Sequence, residues 1–178
     1  PECHLSYPAS FPLAQAAHAY GRPVPTGNRR DTIDGTLELS LAHTSDMAAA
    51  VVTNSRAGKR VGIDIERMRP TDELFAATAF TVPERTLLAS IDAADLPQWT
   101  LRFWCAKEAV AKALGRGLQE GPQSLTVETF DMHDGTVNVR LQKKYAEEFP
   151  GLAQEAICVH SYQEEDYIYA AAICRGDA

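Results

Sequence analysis

From Phe103 to Leu114 the chain carries only three charges, at Lys107, Glu108 and Lys112. Pro97 stands near the start of the surrounding run and Gly115 just past its end, so the spacing predicts one long helix over about 96–114. A helix that is apolar nearly all round is a buried helix. Whatever else the chain forms must therefore cover this segment on most sides.

The remaining patterns supply mainly strands. Leu37, Leu39 and Leu41 alternate with Glu38 and Ser40, Met47 to Thr53 is a small apolar run, and Val61, Ile63 and Ile65 alternate again. With Ser55-Arg56-Ala57-Gly58 as a hairpin turn, these read as three consecutive antiparallel strands. Residues 72–91 carry helical signals: Thr71 or Asp72 as a cap, then Pro83-Glu84 opening a second helix. Residues 124–130 and 136–141 flank Asp134-Gly135, a hairpin signal, and two more strands fall at 156–162 and 167–174. Strands, helices, strands is the α+β order, an antiparallel sheet packed on a long buried helix. The first 36 residues are looser. Five prolines lie within the first 25, and the Ala-rich stretch Leu13 to Tyr20 is expected to form one short helix. We divide the chain into an N-terminal extension or partial lobe, 1–35, and a main domain, 36–178.

At 178 residues, 45% hydrophobic and 23% charged, the chain has material for one domain with a real core. No apolar run approaches the roughly 18 residues that a membrane helix needs. The start shows no charged segment leading into an apolar one, so no secretory signal is expected. A net charge of −7 disfavours generic nucleic-acid binding. Four cysteines, at 3, 105, 158 and 174, show no CxxC pair or zinc-like spacing and read as reduced thiols of a cytoplasmic protein.

Three places can carry chemistry. Asp64 and Glu66 are two apart on a strand, so both carboxylates leave one face. They suit a hard dication such as Mg²⁺, which takes oxygen ligands and shares them with phosphate; the plain alternative is the polar face of an amphipathic strand. Glu108 and Lys112 are four apart and point the same way along the helix, either as an exposed ion pair or as a metal carboxylate beside a phosphate-binding ammonium. His43 ends the first strand beside a turn, where histidines are often merely solvated.

Taken together, Gly62-Ile63-Asp64-Ile65-Glu66 and, 40 positions on from Asp64, Trp104-Cys105-Ala106-Lys107-Glu108-Ala109 with Lys112 resemble the paired signature of the 4′-phosphopantetheinyl transferases. Leu41-Ala42-His43-Thr44 is similar to the histidine element of the surfactin-synthetase-type branch. Tyr20-Gly21-Arg22-Pro23 is similar to that branch's Gly-Lys-Pro element, with Arg in place of Lys. The resemblance implies transfer of the phosphopantetheine arm of coenzyme A to a serine of an acyl or peptidyl carrier protein, with release of 3′,5′-ADP. It further implies Mg²⁺, or Mn²⁺, on Asp64, Glu66 and Glu108, with Lys112 and also Lys107 toward the phosphates. His43 would meet the 3′-phosphate and Arg22 the adenine or that phosphate, and Glu108 or a water at the metal would accept the serine proton. Ala42 and Cys105 stand where serine, or serine or threonine, is usual.

Surfactin-type members are two similar halves with the site between them, whereas this chain carries one complete half. The resemblance therefore implies a homo-oligomer, a trimer as in the short carrier-synthase-type members, or a missing wall supplied by residues 1–36, or a domain of a larger synthase. Arg67, Arg69, Arg85 and Arg116, with Leu74, Phe75 and Phe80, are candidates to face the carrier. A silent carrier-docking domain that keeps the fold is the alternative function.

Overall fold

In the computed structural model the described residues are 14–17, 23–26, 37–54 and 59–175, the first two segments as backbone only. Arg22 lies outside them, as do the 55–58 turn and the proposed boundary at 35. β1 (Ala14–Ala17) pairs antiparallel with β2 (Pro23–Thr26), so the short Ala-rich helix expected over 13–20 is not what forms there. Between Pro12 and Pro23 the segment is too short to offset the cost of helix nucleation, whereas a strand takes its hydrogen bonds from a partner.

β3 (Leu37–His43) and β4 (Ala48–Asn54) form an antiparallel hairpin, with His43 opposite Ala48. The expected third strand of that meander goes elsewhere. β5 (Lys59–Arg67) is the edge of a five-stranded sheet of order β5-β9-β8-β7-β6 and pairs along its whole length with β9 (Tyr167–Arg175). The reason lies at Gly62. A Cβ there would sit 1.9 Å from the Ala109 carbonyl oxygen and 2.6 Å from the Ala113 amide nitrogen, so only glycine lets β5 lie this close beneath the long helix. Pairing with β9 also sets Gly62 opposite Ala172 and Asp64 opposite Ala170, which keeps this part of the sheet low enough for a helix to rest on.

α1 (Glu73–Ala79) is capped by Asp72, whose Oδ1 accepts from the Phe75 amide at 2.7 Å. α2 (Val82–Ala89) starts at Thr81, with Glu84 reaching back to the Thr81 amide at 2.7 Å. α3 (Leu96–Leu114) ends at Gly115 in the left-handed region, φ 74°. β6 (Leu125–Phe130) and β7 (Thr136–Leu141) form the hairpin expected at Asp134-Gly135. α4 (Lys143–Glu148), β8 (Ile157–Glu164) and β9 complete the domain.

The architecture is α+β, as the strand and helix order predicts. α3 crosses one face of the sheet, with Leu101, Phe103, Ala106, Ala109 and Val110 fully buried against residues that include Ile168, Val137 and Val139. The β3–β4 hairpin lies on the other side of β5: Ser40 Oγ accepts from the Ile63 amide at 3.1 Å, and Ala42 packs with Ile65 and Tyr167. β5 is thus held between α3, which faces Gly62, Asp64 and Glu66, and the hairpin, which faces Ile63 and Ile65. Among the described residues no helix is long and apolar enough to cross a membrane.

Candidate active site

Neighbouring residues of α3 point to opposite sides, and two Lys–carboxylate groupings result. Lys107 Nζ is wholly buried. It donates to Glu84 Oε1 at 2.9 Å, Glu84 Oε2 at 3.1 Å and the Ala79 carbonyl at 2.7 Å, and lies 5.2 Å from the Phe80 ring centroid. Glu84, also wholly buried, accepts in addition from the Val127 amide at 2.9 Å and from Thr81. Burial lowers the Lys107 pKa and Glu84 opposes that shift. Lys107 therefore does not face a phosphate as the resemblance implies. All three of its donors are spent inside the core, tying α3 to α1, α2 and β6. The charges of Lys107 and Glu84 sit 23 positions apart, with no spacing that would announce the pair.

On the other side of α3 the structure brings together Asp64, Glu66, Glu108 and Lys112. Lys112 Nζ donates to Asp64 Oδ1 at 2.7 Å, with the two side chains 29% and 9% exposed. Asp64 Oδ2 is buried with no hydrogen-bond partner among the described residues. Burial raises the Asp64 pKa, against the pull of Lys112. Glu66 accepts from Trp104 Nε1 at 3.0 Å, a contact the sequence reading missed although Trp104 lies within the signature and an indole N–H needs a partner when half-buried. Burial first, then the negative charge of Asp64, pushes Glu108 up to about 7; Lys112 opposes and Glu66 adds to the shift. No hydrogen bond among the described residues satisfies the Glu108 carboxylate.

Of these three carboxylates only Asp64 is bonded to the Lys112 ammonium, Glu66 has Trp104 and the more distant Arg69, and one buried Asp64 oxygen has no partner among the described residues. In a core such an arrangement would be costly. Among the described residues no three such side chains are already gathered at ligating distances. The donor set and the unpaired Asp64 oxygen nonetheless fit a hard dication, which would supply the missing positive charge.

His43 is exposed at the end of β3, its Nδ1 3.2 Å from the Thr44 carbonyl oxygen, and does not touch the four residues above. Of the carrier-face candidates, Phe80 is fully buried and is a core residue instead. Leu74 is 75% exposed. Arg69 packs over Phe75 and pairs loosely with Glu66 at 3.9 Å, while Arg116 pairs with Glu148 at 3.1 Å.

Both groupings lie within residues 60–172, which match the family model described as the 4′-phosphopantetheinyl transferase superfamily. The chain belongs to this superfamily. Similar proteins include the 4′-phosphopantetheinyl transferase psf-1 of Bacillus pumilus, 29% identical over 139 residues that span 78% of this chain and 53% of the relative. HetI of Nostoc sp., also a 4′-phosphopantetheinyl transferase, is 34% identical over 100 residues, 55% of this chain and 40% of the relative. The chain thus spans about half or less of the length of these two relatives. An acyl carrier protein synthase from Plasmodium yoelii, solved with ADP bound, shares the fold with a TM-score of 0.54 at 20% identity, covering 67% of this chain and 96% of that one.

Proposed function

We propose that this chain transfers the 4′-phosphopantetheine arm of coenzyme A to a serine hydroxyl of an acyl carrier protein. The serine oxygen bonds to the phosphorus that bears the pantetheine arm, the pyrophosphate P–O bond breaks, and 3′,5′-ADP leaves with the bridging oxygen. The observation that carries the reading is the surplus of carboxylates around Lys112, with Asp64 Oδ2 buried and unpaired. Membership of the 4′-phosphopantetheinyl transferase superfamily supports this choice of reaction.

Asp64, Glu66 and Glu108 would hold Mg²⁺ or Mn²⁺, which when bound neutralises the pyrophosphate and the charge that develops on it. Lys112, which reaches from α3 over Asp64, would meet phosphate oxygens. Glu108, which burial pushes up to about 7 in the metal-free protein, or a water at the metal would take the serine proton. His43 would contact the 3′-phosphate. The nucleophile belongs to the carrier. A second copy of the chain, in a trimer, or residues 1–36 would supply a further wall of the site. Free thiols at Cys105, Cys158 and Cys174 suit a reducing, cytoplasmic setting.

The test is intact-mass spectrometry of an apo acyl carrier protein incubated with this chain, coenzyme A and Mg²⁺. The expected result is a gain of one phosphopantetheine arm that vanishes with EDTA and falls by about 10²–10³ in rate in Glu108→Gln. Carrier binding with no gain across several carriers would overturn the reading in favour of a docking domain.

A further inference from the structure

The turn that follows His43, the last residue of β3, is tied to the sheet through Asp46. Asp46 Oδ2 accepts from the Tyr167 hydroxyl at 2.7 Å and lies 3.6 Å from Arg67 Nη1. Its other oxygen accepts from Thr44 Oγ1 at 3.1 Å and Ser45 Oγ at 3.2 Å. Arg67 and Tyr167 face each other in the β5–β9 ladder, so Asp46 clips the β3–β4 turn to the last residue of β5 and the first of β9.

The contacts run in order along the edge strand. Ser40 meets Ile63, Ala42 meets Ile65, and Asp46 meets Arg67. His43 therefore stands level with the Glu66 end of β5. The hairpin has other supports: its own ladder, the Ser40 contact, the Ala42 packing and the Thr44–Met47 backbone bond at 2.8 Å. Removing the Asp46 clip frees the turn without dismantling the hairpin.

We propose that Asp46 is a positioning residue: through Tyr167 and Arg67 it fixes where His43 stands beside the Asp64–Glu66 strand, and so sets how strongly the site prefers a coenzyme with a 3′-phosphate over one without. This rests on the reading of His43 as the 3′-phosphate contact. An exposed imidazole at a strand end that leads into an untied turn must be ordered at the moment of binding, and that ordering cost falls on the one ligand that uses it. A ligand lacking the 3′-phosphate does not call on His43 and is indifferent to the clip.

The experiment is calorimetric titration of the full chain, with Mg²⁺, by coenzyme A and by 3′-dephospho-coenzyme A. The proteins are the wild type, His43→Ala, Asp46→Ala, Asp46→Asn and Tyr167→Phe. The expected result is a wild-type preference for coenzyme A that His43→Ala removes. Asp46→Ala and Tyr167→Phe each reduce it about fivefold, the share one ordinary hydrogen bond accounts for, with dephospho-coenzyme A binding unchanged. Asp46→Asn, which keeps an acceptor for Tyr167, recovers part of the preference. If His43→Ala removes the preference but Asp46→Ala and Tyr167→Phe keep the wild-type ratio, or weaken both ligands alike, the positioning role is overturned while the His43 reading stands. A wild-type ratio of one overturns the His43 reading, and this inference with it.

Discussion

Lys107 and Glu108 are adjacent in sequence, yet they sit in contrasting electrostatic settings. On the Lys107 side one cation meets one carboxylate. Each is wholly buried, and the remaining hydrogen-bond capacity is taken up by Ala79, Thr81 and Val127. On the Glu108 side three carboxylates meet Lys112 and, loosely, Arg69, and among the described residues a buried Asp64 oxygen has no partner. A closed set of partners stabilises a structure and offers nothing to a ligand, whereas an open, charge-unbalanced set costs stability until something binds. Residue type does not separate the two sites, and completeness of pairing does.

The comparison breaks most visibly at the closed side. Lys107→Met leaves Glu84 buried without its counter-ion and should cost about 3–5 kcal/mol. At roughly 2–4 °C per kcal/mol for a chain of this size, Tm falls by ~10 °C. Pairing it with Glu84→Gln should restore much of that loss, and below the shifted Tm coenzyme A binding should stay near wild type. A Lys107→Met protein that melts like wild type but no longer binds coenzyme A would return Lys107 to the phosphate site.

Gly62→Ala tests the spacing between α3 and β5 that both sides depend on. The added methyl meets backbone of α3, which must shift, at a cost of about 1–3 kcal/mol. Because the shift separates Lys112 from Asp64, transfer should fall by up to ~10²-fold even at temperatures where the protein is folded. Thermal melts and transfer assays on the same sample check both halves of that expectation.

The open side should also show its charge surplus as a pH dependence. The folded pKa of Glu108, about 7, lies above its ordinary 4.5, so its contribution favours folding below about 4.5 and is lost as pH rises through about 7. Asp64, raised by burial, adds a slope of the same sign. Metal-free protein should therefore lose a few degrees of Tm between about pH 5 and 8 on account of these groups, and Glu108→Gln should flatten the curve. Mg²⁺ should raise Tm more at the upper end of that range. A metal-free melt that rises over the same interval in wild type and Glu108→Gln alike would contradict the surplus.

The smallest effect is expected at Trp104→Phe, which keeps the ring and removes the 3.0 Å hydrogen bond that orients Glu66. Loss of one such bond to a charged group is worth about 1.5–3 kcal/mol at most, and solvent can replace part of it at a half-buried site. Mg²⁺ affinity, read by titration, should weaken by about tenfold or less while Tm barely moves.

Much of this was legible in the chain itself. The long helix was readable to the residue at both ends because Pro97 and Gly115 act locally on backbone geometry. The β6–β7 hairpin was readable for the same reason: Gly135 adopts φ 76° where a Cβ would strike the Ser161 carbonyl. α4 was not readable, since its six polar-rich residues have no cap signal and are held by Tyr145, which is buried and donates to the Gly117 carbonyl. The carboxylate strand and the Glu108–Lys112 spacing were legible as candidates because period two and period four each place side chains on one face.

What the sequence determined by itself is local: which segments twist into helix or strand, where they stop, and which charges share a face. The tertiary structure alone decided which partner each strand took, since β5 left β4 for β9, and which side of α3 each charge met. Those outcomes depend on contacts across 23 to 121 positions of chain, between Glu84 and Lys107, Asp64 and Lys112, and Asp46 and Tyr167. No local pattern encodes such contacts, because they arise from packing one buried helix against a sheet that comes close enough at Gly62 to receive it.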